Sequence, residues 1–249
     1  MNSPTQTTSP TAVVLAAGLG SRPRSVHAAT PKGFVQIGGA PIIQRSVDAL
    51  TRAGVENIVI VVGWMADMYR DWASSLGPAV TCVPNDDYAS TGSLRSLLLG
   101  CATVPGRDVV IVESDLLYEA RAAELLMAAT SPDTLLVSGF TDSGDEVWVY
   151  GNNGRLEHLS KTLWDNREPI GELVGLTRLS AATVAAVSDA AVELPASAHY
   201  EDALNVVATT RDISLLRAPD LVWCEIDDEA HLSRARAIVW PRIAIGAES

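Results

Sequence analysis

Short apolar runs that alternate with amphipathic stretches predict an α/β fold. The expected form is a Rossmann-like, doubly wound, mixed but mainly parallel sheet with helices on both faces. Three observations carry this expectation. Residues 57–62 read NIVIVV, a chargeless β-branched run suited to a strand buried on both faces. Residues 41–53 place Ile42, Ile43, Val47 and Leu50 at helical spacing. Residues 12–16 and 108–112 are further apolar runs, one leading into glycines and the other into Glu113-Ser114-Asp115.

The other elements follow in order. Helices are predicted over 65–76 and 92–102, the second with Leu94, Leu97, Leu98 and Cys101 on its apolar side, and a short strand over 80–83 between them. Residues 116–127 predict a helix, for which Asp115 is a candidate N-cap. A strand is expected over 134–140. Residues 145–150, DEVWVY, alternate with period two; Asn152-Asn153-Gly154 signals a turn and 156–159 returns, which predicts a β-hairpin. Helices over 180–191 and 200–209 precede a last strand over 221–226. A last helix covers 229–239, with Asp227 and Asp228 competing to cap it.

Composition narrows the partners. The 249 residues are 47% hydrophobic and carry a net charge of −12, which argues against nucleic acid and anionic membranes. Cys82, Cys101 and Cys224 form no CxxC pair, so buried free thiols are expected. Residues 1–10 lack the basic and apolar regions of a signal peptide and read as a disordered tail. No apolar run reaches membrane-spanning length, and a cytoplasmic location is expected.

The densest feature is AVVLAAGLGSR at 12–22, followed by TPK at 30–32. Small residues here leave backbone N–H groups open to an anion. Leu15, Ala16, Ala17, Gly18, Gly20 and Ser21 form this candidate phosphate cradle, and Arg22 and Lys32 supply fixed cations suited to a triphosphate. No GxxxxGK run exists, and Pro23 breaks a GxGxxG reading. The predicted organisation is one domain over 11–241: a nucleotide-binding part (11–131), an acceptor-binding part with the hairpin (132–220) and a return to the sheet with the last helix (221–241). A tail over 242–249 follows.

The segment LAAGLGSR with TPK resembles the signature of the sugar-1-phosphate nucleotidylyltransferase superfamily. Later segments continue the match in order: NDDY at 85–88, TGSL at 91–94, ESDLLYE at 113–119, GDEV at 144–147, LSK at 159–161 and WCEID at 223–227. Together, over 12–241, they resemble the small cytidylyltransferases that act on phosphocholine or on 2-aminoethyl- and hydroxyalkyl-phosphonates. The resemblance implies Mg²⁺-dependent transfer of CMP from CTP to a small phosphonate, with release of pyrophosphate. The nucleophile is already an anion, so positioning and charge neutralisation suffice. This suits four scattered histidines without a base-like constellation.

The resemblance assigns roles residue by residue. Arg22 and Lys32 hold the triphosphate, and Lys161 meets the acceptor phosphonate or the α-phosphate. Asn85, Thr91, Gly92 and Ser93 match the stretch that contacts the base, although Thr91 or Ser93 also suits a helix N-cap. Asp115 and Asp227, each ending an apolar run, are the metal ligands if their strands lie close together, with Glu225 a third. Asp145, Glu146, Trp148, Tyr150, Glu172, Tyr200, Glu201 and Asp202 are candidates for the acceptor's other end, where carboxylates and aromatic faces suit an amine. Trp148 and Tyr150 equally suit core packing. Phosphocholine or a sugar or polyol phosphate is the alternative acceptor. The short chain and Glu113-Ser114-Asp115, where many sugar-nucleotide members have Gly-Asp-x-Asp, count against a hexose phosphate. A nucleotide-binding regulatory module is the non-enzymatic alternative, and a homodimer contact through the hairpin is compatible with the sequence.

Overall fold

The computed structural model describes residues 9–18, 30–141, 143–144 and 146–246. Gly20, Ser21, Arg22 and Asp145 lie outside the described residues. The first half alternates as expected. β1 (Thr11–Ala16) is followed by a small ribbon of β2 (Gln36–Ile37) and β3 (Ala40–Pro41), then α1 (Ile42–Arg52), β4 (Asn57–Val62), α2 (Ala66–Leu76), β5 (Val80–Pro84), α3 (Ser93–Ala102) and β6 (Val109–Glu113). β5, β4, β1 and β6 lie side by side and all parallel.

After β6 the chain departs from the expectation. Residues 116–127 are not one helix: Leu116–Tyr118 form β7, and α4 begins only at Arg121 (Arg121–Ala128). Asp115 therefore caps no helix. The strands β8 (Thr134–Ser138), β9 (Trp148–Asn152), β10 (Arg155–Ser160) and β11 (Gly171–Leu179) follow, then α5 (Ala181–Ala190), α6 (Tyr200–Ala208), β12 (Ser214–Ala218) and β13 (Trp223–Glu225). The predicted hairpin is β9–β10, turned by Asn153 and Gly154 with φ of 50° and 75°. α7 (Glu229–Arg234) continues through a π-turn into α8 (Trp240–Gly246), so 242–246 are helical and not a tail.

The nine-stranded sheet has the order β5-β4-β1-β6-β11-β8-β12-β10-β9, and β9 pairs back onto β11. β11 runs antiparallel to β6, β8 and β9, whereas β8 and β12 are parallel. The sheet is thus mixed, parallel in its first half and largely antiparallel in its second, rather than mainly parallel throughout. Neither β11 nor β12 is evident in the sequence. GELVGLTRL carries two glycines and two charges, which obscure a strand buried for most of its length. β13 does not return to this sheet either; it pairs antiparallel with β7 in a separate ribbon.

The two faces of the sheet carry separate cores. Ala12, Val14 and Ala16 pack with Ile43, Val47 and Leu50 of α1, Tyr69 of α2 and Leu126 of α4. Val13 and Leu15 point the other way, towards Leu94 and Leu97 of α3, Val187 of α5 and Leu204 of α6. The alternation follows from the period-two geometry of a strand, and each fully buried aliphatic side chain contributes about 1.5–3 kcal/mol. A third core joins Leu117, Cys224 and Ile226 to Leu232 and Val239, fastening the β7–β13 ribbon to the last helices. No helix among the described residues is long and apolar enough to cross a membrane. All three cysteines are free thiols.

Candidate active site

A cleft of about 370 Å³ opens where β1, β6 and β13 end, and β10 and α6 wall its far side. Ligands of open α/β sheets bind at this carboxyl edge. Leu15, Ala17 and Gly18 line it from β1; Ala16, between them on the strand, faces the core instead.

Lys32 opens a single 3₁₀ turn after Pro31 and carries its amine into the cleft. Its Nζ donates to Asp115 Oδ2 at 2.7 Å and also to Asp227 Oδ1. The two aspartates do converge, because Ile226 N–H donates to the Asp115 carbonyl at 2.9 Å and holds β13 beside β7. Burial works against the charge on Lys32, but Asp115 and Asp227 outweigh it and hold the ammonium well above its ordinary range. Asp228, not Asp227, caps α7: its carboxylate accepts the His231 N–H at 2.9 Å.

A second cluster lies alongside. Glu113, Asp115 and Glu225 each bring a carboxylate oxygen within 4.8 Å of the others. Asp227 lines the same cleft with its Oδ1 accepting from Lys32 Nζ, while Asp115 faces both Lys32 and this group. Burial, then Glu201 and Asp115, push Glu113 up to about 8, while Tyr200 and Lys161 pull the other way. Burial, then Asp115, Glu113 and Asp227, push Glu225 up to about 10, against the pull of Lys32. Three hard oxygens whose charges oppose one another fit a Mg²⁺ ion. Room for Glu113 comes from a bulge in β11: Gly175, at φ 80°, has no Cβ, and one placed there would stand 3.2 Å from Glu113 Oε1.

On the nucleotide side, Asn85, Thr91, Gly92 and Ser93 all line the cleft. Asn85 Nδ2 donates to Thr91 Oγ1 at 3.2 Å and to Ser96 Oγ at 3.1 Å, which fixes its amide. The chain itself requires Gly92: a Cβ there would sit 2.1 Å from the Ala198 carbonyl oxygen. The segment ending at Ala198 crosses the start of α3, with Gly92 N–H donating to the Ala196 carbonyl at 2.9 Å. Ser93 does not cap its own helix; its Oγ accepts the Tyr200 N–H at 3.1 Å and lies 3.2 Å from His199 Nδ1. It ties α3 to α6.

The proposed acceptor residues divide. Lys161, Tyr200 and Glu201 line the cleft. Tyr200 Oη donates to Glu113 Oε1 at 2.6 Å, and burial raises the Glu201 carboxyl while the Lys161 ammonium lowers it. Glu201 Oε2 is buried with no hydrogen-bond partner. Glu146 stands behind the cleft, on a void of about 20 Å³ shared with Glu113 and Glu225. The others lie outside the cleft lining. Asp202 accepts the His199 N–H at 2.8 Å and caps α6. Glu172, 0% exposed, accepts the Thr141 N–H and hydroxyl at 2.6 and 2.7 Å. Tyr150 is buried, its hydroxyl accepting the Trp164 N–H at 3.0 Å, and Trp148 packs on Phe140 at 5.8 Å between ring centroids.

The sequence reading did not single out Glu113, Tyr88, Ser96 or His199 as site residues, yet all four line the cleft. Glu113 had a signal. It ends the apolar run of β6 two residues before Asp115, and i and i+2 positions at a strand end share a face.

Residues 12–183 match the MobA-like NTP transferase domain. The chain belongs to this family. Among curated relatives of this MobA-like transferase, a CMP-5'-(3-aminopropyl)phosphonate synthase of Streptomyces rubellomurinus is 34% identical over 51% of this chain and 20% of that protein. A 2-aminoethylphosphonate cytidylyltransferase of Lancefieldella rimae is 27% identical over 64% of each. The chain thus spans less than two thirds of either relative. The inositol-1-phosphate CTP transferase from T. maritima has the same fold, with a TM-score of 0.81 at 21% identity and 95% of each chain covered. So does a CTP:phosphocholine cytidylyltransferase from Streptococcus pneumoniae, at 0.76 and 22% identity, over 92% of this chain and 99% of that one.

Proposed function

We propose that this NTP transferase is a cytidylyltransferase that moves CMP from CTP to a small aminoalkyl- or hydroxyalkyl-phosphonate. The observation that carries the reading is the single cleft in which Lys32, Lys161 and the Glu113–Asp115–Glu225 carboxylates meet beside the end of β1. The names of the aminopropyl- and aminoethyl-phosphonate relatives support CTP as donor and a phosphonate as acceptor.

A phosphonate oxygen attacks the α-phosphorus in line. The bond from that phosphorus to the α–β bridging oxygen breaks, and pyrophosphate leaves with the electron pair. No proton need move, so no general base is required. Lys32 stays protonated and offsets charge that grows on the phosphates. Lys161 approaches from the opposite wall and holds the attacking anion. Glu113, Asp115 and Glu225 would hold Mg²⁺, which supplies Lewis-acid neutralisation of phosphate oxygens when bound.

Acceptor choice follows from the wall around α6. Glu201 carries a buried oxygen without a partner, beside Glu113. The aromatic residues lining the cleft, among those described, are Tyr88 and Tyr200; Trp148 and Tyr150 pack elsewhere. Carboxylates without an aromatic cage favour a primary ammonium, which donates hydrogen bonds, over a quaternary one, which does not. Pyrophosphate release over the four NTPs and a panel of aminoalkylphosphonates, hydroxyalkylphosphonates, phosphocholine and polyol phosphates tests this. CTP with an aminoalkylphosphonate should be fastest. No turnover with CTP and any acceptor overturns the reading.

A further inference from the structure

Tyr200 opens α6 and is 1% exposed. Three holds fix it. Its N–H donates to Ser93 Oγ at 3.1 Å. Its ring belongs to the core that contains Leu94, Leu97 and Leu204. Its hydroxyl donates to Glu113 Oε1 at 2.6 Å, the short separation of a hydrogen bond to a charged oxygen.

Glu113 is hemmed in at that same oxygen. A Cβ on Gly175 would stand 3.2 Å from both Oε1 and the carboxyl carbon, so the backbone of β11 backs the group that Tyr200 holds. The last torsion of a glutamate is broad and weakly fixed. Left alone, the carboxylate could turn either oxygen, or both, towards a cation. With Tyr200 in place, Oε1 is committed and Oε2 is the oxygen left over. Asp115 is restricted in the same way, since its Oδ2 accepts from Lys32 at 2.7 Å.

The number of free oxygens bears on the size of the ion. Mg²⁺ takes single carboxylate oxygens at about 2.0–2.1 Å in a near-octahedral shell and keeps several waters. Ca²⁺ takes about six to eight oxygens and readily accepts both from one carboxylate. We propose that Tyr200 is a positioning residue whose hydroxyl, by holding Oε1 of Glu113, confines that carboxylate to single-oxygen coordination and so favours a small octahedral divalent cation over Ca²⁺. The inference rests on the reading of Glu113, Asp115 and Glu225 as the Mg²⁺ site. It does not depend on which acceptor the enzyme uses.

The test uses Tyr200→Phe in the full chain, without nucleotide. Mn²⁺ is the probe, because it suits the same oxygen ligands as Mg²⁺ and its free-ion EPR signal is lost on binding. Displacement of Mn²⁺ by Mg²⁺ and by Ca²⁺ gives the ratio of their dissociation constants. Tyr200→Phe should shift that ratio towards Ca²⁺ by roughly tenfold, the scale on which hydrogen-bond partners of metal ligands act. Ser93→Ala keeps the hydroxyl and releases only the Tyr200 N–H, so it should shift the ratio the same way by less. Tyr150→Phe removes a buried hydroxyl outside the cleft and should leave the ratio at the wild-type value.

An unchanged ratio in Tyr200→Phe overturns the proposal. So does an equal loss of affinity for both ions, which would show that the hydroxyl supports the site without choosing the ion. Should Tyr200→Phe fail to fold, the Ser93→Ala ratio decides. Should the wild-type protein hold no Mn²⁺, the reading of the three carboxylates as the cation site fails and the proposal fails with it. Wild-type binding with an unchanged ratio in the variant overturns the proposal alone.

Discussion

The two clusters on the carboxylate-lined edge of the cleft differ in charge balance. Around Lys32, one ammonium sits between Asp115 and Asp227, within hydrogen-bonding reach of both. Around Glu113, Glu225 and Glu201, carboxyls crowd each other, and burial together with that crowding pushes Glu113 up to about 8 and Glu225 up to about 10 and raises Glu201. The first cluster is complete in the protein alone. The second is built to be completed by cations, which the proposed reaction brings as Mg²⁺ and the acceptor's ammonium. Part of the site is therefore stable by itself, and part is costly until it is filled.

The largest expected effect breaks the balanced cluster. Lys32→Met leaves Asp115 and Asp227 facing each other without their cation. Turnover should fall by about 10³-fold or more, and unfolding free energy by about 2–4 kcal/mol, because a buried charge loses its partner. Denaturant melts and pyrophosphate assays on the same preparation check both. A stable, active Lys32→Met protein would show that the pair is not integral to either.

Asp115→Asn acts on both clusters at once, since Asp115 accepts from Lys32 and faces Glu113 and Glu225. Turnover should drop by about 10²-fold, and the rise in Tm on adding Mg²⁺ should shrink or vanish. Asp202→Asn is the matched control. It weakens the α6 cap and leaves the Glu113, Asp115 and Glu225 carboxylates in place, costs about 1 kcal/mol or less, and should keep the Mg²⁺ response.

The crowded cluster makes stability depend on pH in a definite direction. The folded-state pKa values of Glu113 and Glu225 are raised from 4.5 to about 8 and about 10. The folded protein then binds these protons more tightly than the unfolded chain. Their contribution is full below about 4.5 and is lost as pH rises through about 8 and about 10. The Tm of the metal-free protein should fall between about pH 5 and pH 9 by this route, and Mg²⁺ should flatten the slope. Glu225→Gln should flatten it without metal. A Tm that rises over that range in the metal-free protein would place the protons elsewhere.

The smallest effect separates cleft from scaffold. Tyr150→Phe removes the hydroxyl that accepts the Trp164 N–H. Stability should drop by about 1 kcal/mol, with KM for the acceptor unchanged. A clear rise in acceptor KM would return Tyr150 to the binding wall.

Much of this was legible in the chain. β4 lies over 57–62 as the five β-branched residues after Asn57 predict, and the Asn153-Gly154 turn closes the hairpin it signals. Lys32, Asp115, Lys161, Glu225 and Asp227 were singled out from motifs and lie around one cleft. Other features were hidden for physical reasons. β11 contains Gly171, pressed against the Ser138 carbonyl, and Gly175, whose bulge faces Glu113, and both obscure its strand propensity. Tyr150, Glu172 and Asp202 have side chains suited to a ligand, but each is occupied by a backbone N–H of this chain.

The sequence by itself determined the family, the alternating core and the residue types at the ends of the strands, because periodicity and short motifs are local properties. Only the tertiary structure decided which carboxylates share space. Glu113 faces Asp115 because the end of β6 brings both to the same rim. Glu225 joins them because β13 pairs with β7 instead of the main sheet, and Asp227 turns to Lys32 because the 3₁₀ turn after Pro31 brings the amine there. Coulomb energies depend on separations through space, and those separations are set by strand pairings far apart in the chain.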